Sequence, residues 1–397
     1  MTTPAYGGGP TLRLAFGLEF PDLYRRDGLV RLDARFLEFL AAADAALHQR
    51  LADARANPAS LDAKAESALI LAVGPHLERF FSQLFGIADE ALALAERHDV
   101  LAPLYSVKRQ FVQRKAVAKY KPAEAATFDG VALEAALAKR LGGPLDELKF
   151  AHAVTDWLGH EADHAEDLDL ALRYTAWALF TDAGRERNRA GVLFKQPAKV
   201  DPNDLLPHAE KQERNGATTF RIAPGHERHR EGFELTDAGT DLVGALDQTN
   251  YCIWCHAQGK DSCAKGLREK TFAGATTPPA FKKSPFGVTL AGCPLEEKIS
   301  EFQALKSEGR AIAALAVITL DNPMAAGTGH RICNDCMKSC IYQKQEPVNI
   351  PQAETRTLKD VLELPWGFEI YSLLTRWNPL NIRQPLPKAL SGYRVLV

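Results

Sequence analysis

Apolar positions three and four residues apart dominate the first half of the chain and predict helices. Leu12 to about Val30 reads as an irregular lead-in. Asp33 then stands where an N-cap belongs, and Phe36, Leu37, Leu40 and Ala41 follow at helical spacing into an alanine-rich segment ending near Ala56. Ala63 to His98 repeats the pattern in at least two pieces, with Gly74-Pro75 the expected break. Leu133–Leu141 and Asp167–Thr181 are further helices. The second carries Tyr174, Trp177 and Phe180, an aromatic stripe that suits a core better than a cofactor box. Pro197 to Glu231 is polar, rich in Pro, Lys and His, and reads as a linker.

In the second half, Pro294 suits the first position of a helix whose first turn holds Glu296 and Glu297 and whose buried stripe is Leu295, Ile299, Phe302 and Leu305. Gly309 ends that helix, and an almost wholly apolar one, Arg310 to about Leu320, stops at Asp321-Asn322-Pro323. Folded as an antiparallel hairpin, the two nearly cancel in length and return Cys333 towards Cys293. Thr357 with Asp360 resembles a capping box opening a helix to about Glu363, which Pro365-Trp366-Gly367 breaks. Phe368–Trp377 is helical, Asn378–Pro387 extended, and Tyr393–Val397 has strand composition. The fold class is therefore mainly α. The expected division is a helical region over 1–245 with its linker near 197–231, a cysteine region over 246–356, a helix and Pro-rich linker over 357–392, and a strand over 393–397.

Composition narrows the partners. The chain has 397 residues, 46% hydrophobic and 25% charged, with a net charge of −2, so bulk charge points to neither nucleic acid nor membrane. No unbroken apolar run approaches the roughly 20 residues of a membrane-spanning helix. Met1 to Gly9 lacks the basic-then-apolar order of a secretory signal, so a cytoplasmic, reducing compartment is expected. The basic segment Lys108, Arg109, Arg114, Lys115, Lys119 and Lys121 reads first as a solvated helix face, and second as a dock for an acidic partner.

All seven cysteines fall between Cys252 and Cys340: Cys252, Cys255, Cys263, Cys293, Cys333, Cys336 and Cys340. Short-range thiol groups plus an isolated thiol are what a polynuclear metal site needs, because one loop presents several soft sulfurs at low entropic cost and a distant one closes the cage. Two iron–sulfur clusters are the leading reading. Cys252-Ile-Trp-Cys255-His256 also matches a c-type haem attachment motif, which would leave five cysteines without purpose. The two C-x-x-C pairs suit a zinc ribbon, which would leave Cys263, Cys293 and Cys340 idle. Buried reduced cysteines would not explain a repeated C-x-x-C. His160-Glu161-Ala-Asp163-His164 matches H-E-x-x-H, but a charge between the histidines and acidic neighbours argue for a solvated helix start. His226-Glu-Arg-His229 reads as surface. Gly7-Gly8-Gly9-Pro10 is no phosphate loop, and neither G-x-G-x-x-G nor G-x-S-x-G occurs.

Cys252–Glu354 resembles the N-terminal iron–sulfur domain of the glutamate synthase small subunit and dihydropyrimidine dehydrogenase, within the FAD-dependent pyridine nucleotide oxidoreductases. The residues that carry the likeness are Cys252-x-x-Cys255, Cys263, Gly292-Cys293-Pro294-Leu295, Ile299, Asn322-Pro323, Thr328-Gly329, Cys333, Cys336-x-x-x-Cys340 and Pro347-Val348-Asn349-Ile350. The resemblance implies an α-helical ferredoxin-like domain with two 4Fe–4S clusters and crossed ligation. Cys252, Cys255, Cys263 and Cys340 would hold one cluster, and Cys293, Cys333 and Cys336 the other. Some family members use a glutamine as the eighth ligand, and the aligned residue here is Glu354, whose added charge should lower that cluster's potential. Two further departures are an insertion over Ala264–Ala291 and closer spacing of Cys333 and Cys336. FAD and NAD(P)H are implied for the family architecture but not as ligands of this chain, and Tyr393–Val397 looks like the first strand of the FAD domain. The expected partners are a flavin-containing domain or subunit and a second redox subunit. Electron relay without turnover by this chain alone follows, with no catalytic residues. The alternative is a zinc-stapled helical interaction module without redox activity.

Overall fold

The leucine- and alanine-rich periodic segments fold as helices around two interiors. The computed structural model describes residues 13–206, 209–227, 229–235, 237–270, 279–389 and 392; the expected strand at Tyr393–Val397 lies outside them. Four helices lead: α1 (Arg26–Ala43), α2 (Ala45–Ala56), α3 (Ala63–Leu84) and α4 (Ala88–Val107). A π-helix (Lys108–Ala116) continues from α4, and α5 (Gly130–Arg140), α6 (Glu147–Gly159) and α7 (Ala165–Phe180) follow. After a two-stranded hairpin come α8 (Leu242–Tyr251), α9 (Ile299–Ser307), α10 (Ala311–Asp321), α11 (Ala325–Ile332), α12 (Ile350–Leu362) and α13 (Gly367–Leu374).

The first interior joins the chain's two ends. Leu18 through Leu94 pack with Ile299 through Ile382 in one continuous core. Wholly buried Trp377 is its hub, 5.8 Å from the Phe81 ring and 6.1 Å from Phe36 and Phe80. Burying one such ring contributes on the order of 2–3 kcal/mol. The second interior holds Leu104 through Phe194 with Leu246 of α8, and the stripe residues Tyr174, Trp177 and Phe180 belong to it. The unit over 104–194 thus stands out from a core shared by the N-terminal helices and the helices flanking the cysteines, whereas the expected division separates those at residue 245.

Several local expectations are corrected. Asp33 is not an N-cap: α1 starts seven residues earlier, and buried Asp33 accepts from Arg55 Nη1 (2.9 Å) and Trp377 Nε1 (2.9 Å). Gly74-Pro75 does not break its helix. Gly74 lies where an added Cβ would sit 3.3 Å from the Leu305 methyls, and α3 runs on until Gly86, at φ +66°, ends the segment. Thr357 and Asp360 lie buried mid-helix, and Pro351 occupies the first turn of α12 instead. Within the expected linker, Ala209–Arg214 and Ala217–Ile222 pair antiparallel. Asn215 (φ +52°) and Gly216 (φ +77°) make the two-residue turn that an Asn-Gly pair favours. Pro294 does not open a helix. Glu296 takes a left-handed φ of +51°, and the Lys298 amide donates to Asp321 Oδ2 (3.2 Å), so α9 starts only at Ile299. Leu295 is accordingly half exposed, at 50%.

The α9–α10 hairpin forms as expected, with Gly309 at φ +75° in the turn and Asn322-Pro323 after α10. Every residue of α10 from Ala311 to Thr319 is buried, against α9, α3 and α12. This buried hairpin packs in the same core as Cys252, Cys263, Cys293, Cys336 and Cys340.

Candidate metal centre

The thiols lie on loops anchored to that hairpin and to α8. Cys252 follows the last turn of α8, and Cys255 opens a short 3-10 turn. Trp254 between them takes a left-handed φ of +50°, which turns its amide towards the Cys252 sulfur. Cys263 sits in the turn Ser262–Lys265, capped by Asp261, whose carboxylate accepts from the Ala264 amide (3.1 Å). From Cys263 the chain is stitched across the insertion: the Cys293 amide donates to the Cys263 carbonyl (2.8 Å). Gly292, at φ +89°, passes so close to the 264–266 backbone that a Cβ would lie 2.5 Å from the Ala264 oxygen. The Gly292 amide also donates to Ser339 Oγ (3.0 Å), bringing in the loop of Cys336 and Cys340.

Two groups of thiols result. In the first, the Cys263 thiol donates to Cys340, and Cys252 and Cys255 lie within electrostatic reach of Cys340. The hydrogen bond from Cys263, helped by the backbone amides of Tyr342, Val348 and Ile341, brings the Cys340 thiol down to about 6. The same bond, with burial, pushes Cys263 well above the ordinary thiol range. Burial raises Cys252 to about 12 and Cys255 to about 11.

In the second group, Cys293 lies within electrostatic reach of Cys333 and of Cys336. Burial chiefly raises Cys293, whose sulfur also accepts from the Glu297 and Leu295 amides. Burial likewise raises Cys336, followed by the charges of Cys293, Glu354 and Glu297. Cys333 is the exposed member. The structure thus brings Cys340 to the 252–263 loop and Cys293 to Cys333 and Cys336, although 77 residues separate Cys263 from Cys340 in sequence (340 − 263).

Glu354 lies beside the second group, buried in α12, and accepts from Asn322 Nδ2 (3.0 Å). Burial, then the Glu297 charge, raises its carboxyl to about 8. Glu297 is the residue that sequence reasoning passed over. It is 5% exposed, also engages Asn322, and burial raises it to about 7. Its only signal was a carboxylate four residues after Cys293, hidden there by its assignment to a first helical turn. Two buried carboxyls therefore share one asparagine at the edge of the second thiol group.

The donor set fits iron–sulfur ligation in its chemistry. It is sulfur-rich, largely withdrawn from water, and supplied with backbone amides aimed at sulfur, which offset thiolate charge. Among the described residues, no three His, Cys, Asp or Glu side chains converge closely enough to hold a single metal ion. A four-iron cube spreads its ligands over separate corners, so its sulfurs need not meet at one point. The H-E-x-x-H residues form no helical pair: His160 caps the end of α6, and His164 Nδ1 lies 2.9 Å from Asp167 Oδ2.

Fold and thiol arrangement define a mainly helical protein with two cysteine groups gathered over a helical hairpin. Comparison with known proteins places it more closely. The RP005 N-terminal alpha-helical domain matches residues 14–86. The chain is 31% identical over 300 residues to the uncharacterized protein RP005 of Rickettsia prowazekii (strain Madrid E), covering 75% of this chain and 99% of that protein. The chain belongs to the RP005 family. It is also 66% identical over 74 residues to the uncharacterized protein RP006 of the same organism, 19% of this chain and 10% of that protein. No solved structure matches. Among the described residues, no helix is long and apolar enough to cross a membrane.

Proposed function

We propose that this chain is an electron-transfer protein carrying two 4Fe–4S clusters, the iron–sulfur portion of an FAD- and NAD(P)H-dependent oxidoreductase similar to the glutamate synthase small subunit. The observation that supports the reading is the crossed grouping of thiols, with the free Cys263 thiol hydrogen-bonded to Cys340 and Cys293 within electrostatic reach of Cys336. Cys252, Cys255, Cys263 and Cys340 would hold the first cluster. Cys293, Cys333 and Cys336 would hold the second, with Glu354 as its eighth-ligand candidate and Glu297 next to it. When bound, such clusters take up and release single electrons. This chain's residues would set the conditions for that exchange. The amides of Tyr342, Val348 and Ile341 would hold Cys340 as thiolate, and the Cys293–Cys263 backbone bond with the Gly292 amide on the Ser339 hydroxyl would fix the distance between the groups. Asn322 would orient Glu354. The natural partner is a flavin-containing domain or subunit, with a second redox subunit on the other side.

Metal and acid-labile sulfide analysis of anaerobically purified protein tests this reading. About eight irons with matching sulfide per chain support two clusters, and about four would point to loss of the carboxylate-flanked one. Colourless protein with stoichiometric zinc would replace the proposal with a structural zinc module.

A further inference from the structure

A cleft of about 1280 Å³ lies between the π-helix and the loops that carry Cys252 and Tyr342. One wall is the π-helix itself, a rare form that recurs at functional sites. Its i→i+5 repeat brings Arg109 and Arg114 towards one face, whereas an α-helix would set residues five apart about 140° from each other. Both arginines line the cleft together with Lys195.

Much of the basic segment is neutralised internally. Lys108 pairs with Asp247 (2.5 Å), Lys115 with Glu161 (2.6 Å) and Lys119 with Asp169 (2.5 Å). Arg109 and Lys195 reach only backbone carbonyls, of Asn250 and Arg189, and among the described residues no carboxylate pairs with Arg109, Arg114 or Lys195. The carboxylates lining the cleft are already engaged: Asp247 with Lys108, Asp237 with His330 (3.1 Å), and Glu346 with the Ala198 amide (3.1 Å). Lys108, Arg109, Arg114 and Lys195 thus line the cleft against Asp237, Asp247 and Glu346, an excess of one positive charge, and Arg109, Arg114 and Lys195 are the cations with no carboxylate partner among the described residues. Next to the Asn250 carbonyl that Arg109 reaches, Tyr251 and Tyr342 stack at 4.5 Å with 8° between their planes, beside half-buried Cys252.

We propose that this cleft binds a nucleotide with two or more phosphates, the phosphates held by Arg109, Arg114 and Lys195 and the base or ring system set against the Tyr251–Tyr342 stack. The volume exceeds the roughly 300–1,000 Å³ typical of a drug-sized ligand, which suits an extended molecule over a single phosphate. Cations spaced along the wall meet a polyanion, and an aromatic surface meets a planar ring. The cleft carries this proposal without the cluster assignment; combined with it, the ligand would lie beside a cluster ligand. The unit over 104–194 would then supply Arg109 and Arg114 to the phosphate-binding wall, with Lys195 just beyond its end.

Calorimetric titration of the anaerobically prepared full chain with NADPH, FAD, ATP and inorganic pyrophosphate tests the proposal. At least one nucleotide should bind, and more tightly than pyrophosphate. Arg114→Glu should weaken that binding by about tenfold or more, while Arg114→Lys keeps most of it. Arg114 is exposed, and unchanged melting of both variants will separate a binding defect from misfolding. No binding by any nucleotide, or Arg114→Glu binding as the wild type does, would overturn the proposal. Pyrophosphate binding as tightly as every nucleotide would overturn the role of the tyrosine stack. Iron and sulfide content of the same samples reports on the clusters separately.

Discussion

Lys306 and Asp360 form an ion pair with no exposed surface on either side chain, joining α9 to α12 behind the cysteine loops. Asp360 has a second cationic partner in Arg356, which donates to Oδ1 through Nε (2.7 Å), and Arg356 in turn also reaches Glu363 (2.8 Å). Lys306 has no second hydrogen-bonding partner among the described residues, and burial lowers its affinity for the proton against the pull of Asp360. The two halves of the pair should therefore differ when removed. Asp360→Asn strands a buried ammonium and should cost about 3–5 kcal/mol of stability. Lys306→Met removes the ammonium and leaves Asp360 with Arg356, losing one charge-assisted hydrogen bond at about 1.5–3 kcal/mol. The double variant should cost much less than the sum of the singles, because the stranded charge is gone. Chemical denaturation of the three variants, followed by helical circular dichroism, measures these differences. Equal losses for the two single variants, or strict additivity in the double, would refute the reasoning.

Three more outcomes follow from other buried groups. Glu78 is buried and accepts from the Ala313 amide (3.1 Å); burial raises its carboxyl from 4.5 to about 7. The folded state thus holds its proton more tightly than the unfolded state, so stability should fall as pH rises from about 4.5 to about 7 and level off above. This contribution is on the order of 3 kcal/mol, and Glu78→Gln should remove it; a variant whose pH profile parallels the wild type would contradict the assignment. Glu354→Gln keeps an oxygen for Asn322. Because burial raises the Glu354 carboxyl to about 8, the variant removes charge beside Cys336 only above that pH. The second cluster's potential should therefore rise relative to the wild type above about pH 8 and match it at about pH 6, at unchanged iron content. Redox titration checks this, and no movement there together with a rise in Glu297→Gln would transfer the role to Glu297. Asp33→Asn should weaken the Arg55 and Trp377 contacts, lowering stability by about 1–3 kcal/mol in a denaturation series; a loss confined to a few tenths would mean that Asp33 is not the strut it resembles.

What could be read in the sequence, and what could not, divides along the range of the interactions. The stops at Gly309, Asn322-Pro323 and Pro365-Trp366-Gly367 depend on backbone rules local to a few residues, and the structure has all three. The Asn215-Gly216 hairpin carried an equally local signal that the polar composition around it obscured. Asp33, Thr357 and Asp360 look like caps because a polar residue ahead of an apolar run is usually one. Their actual partners, Arg55, Ala353 and Lys306, lie a turn away or on another helix, and a single sequence does not reveal them. The same holds for Gly74-Pro75, which stays helical because the α9–α10 hairpin packs against it. Spacing marked the cysteines as a metal-type set but would have grouped Cys340 with Cys333 and Cys336. The crossed grouping was implied only by the family resemblance, since it depends on how the loops fold back over the hairpin. Glu297 was not legible, because its burial depends on where α9 begins, and that start is set by the Lys298–Asp321 contact across the hairpin. A π-helix has no sequence signature separate from an α-helix, so the shared face of Arg109 and Arg114 was out of reach.

The most direct test of the account is electron paramagnetic resonance of dithionite-reduced protein, recorded for the wild type and for Cys340→Ser. The account predicts that Cys340→Ser loses the signal and about half of the iron belonging to the cluster of Cys252, Cys255 and Cys263, while the Cys293, Cys333 and Cys336 signal persists. Loss confined to the second signal, or no effect of Cys340→Ser on either, would contradict it.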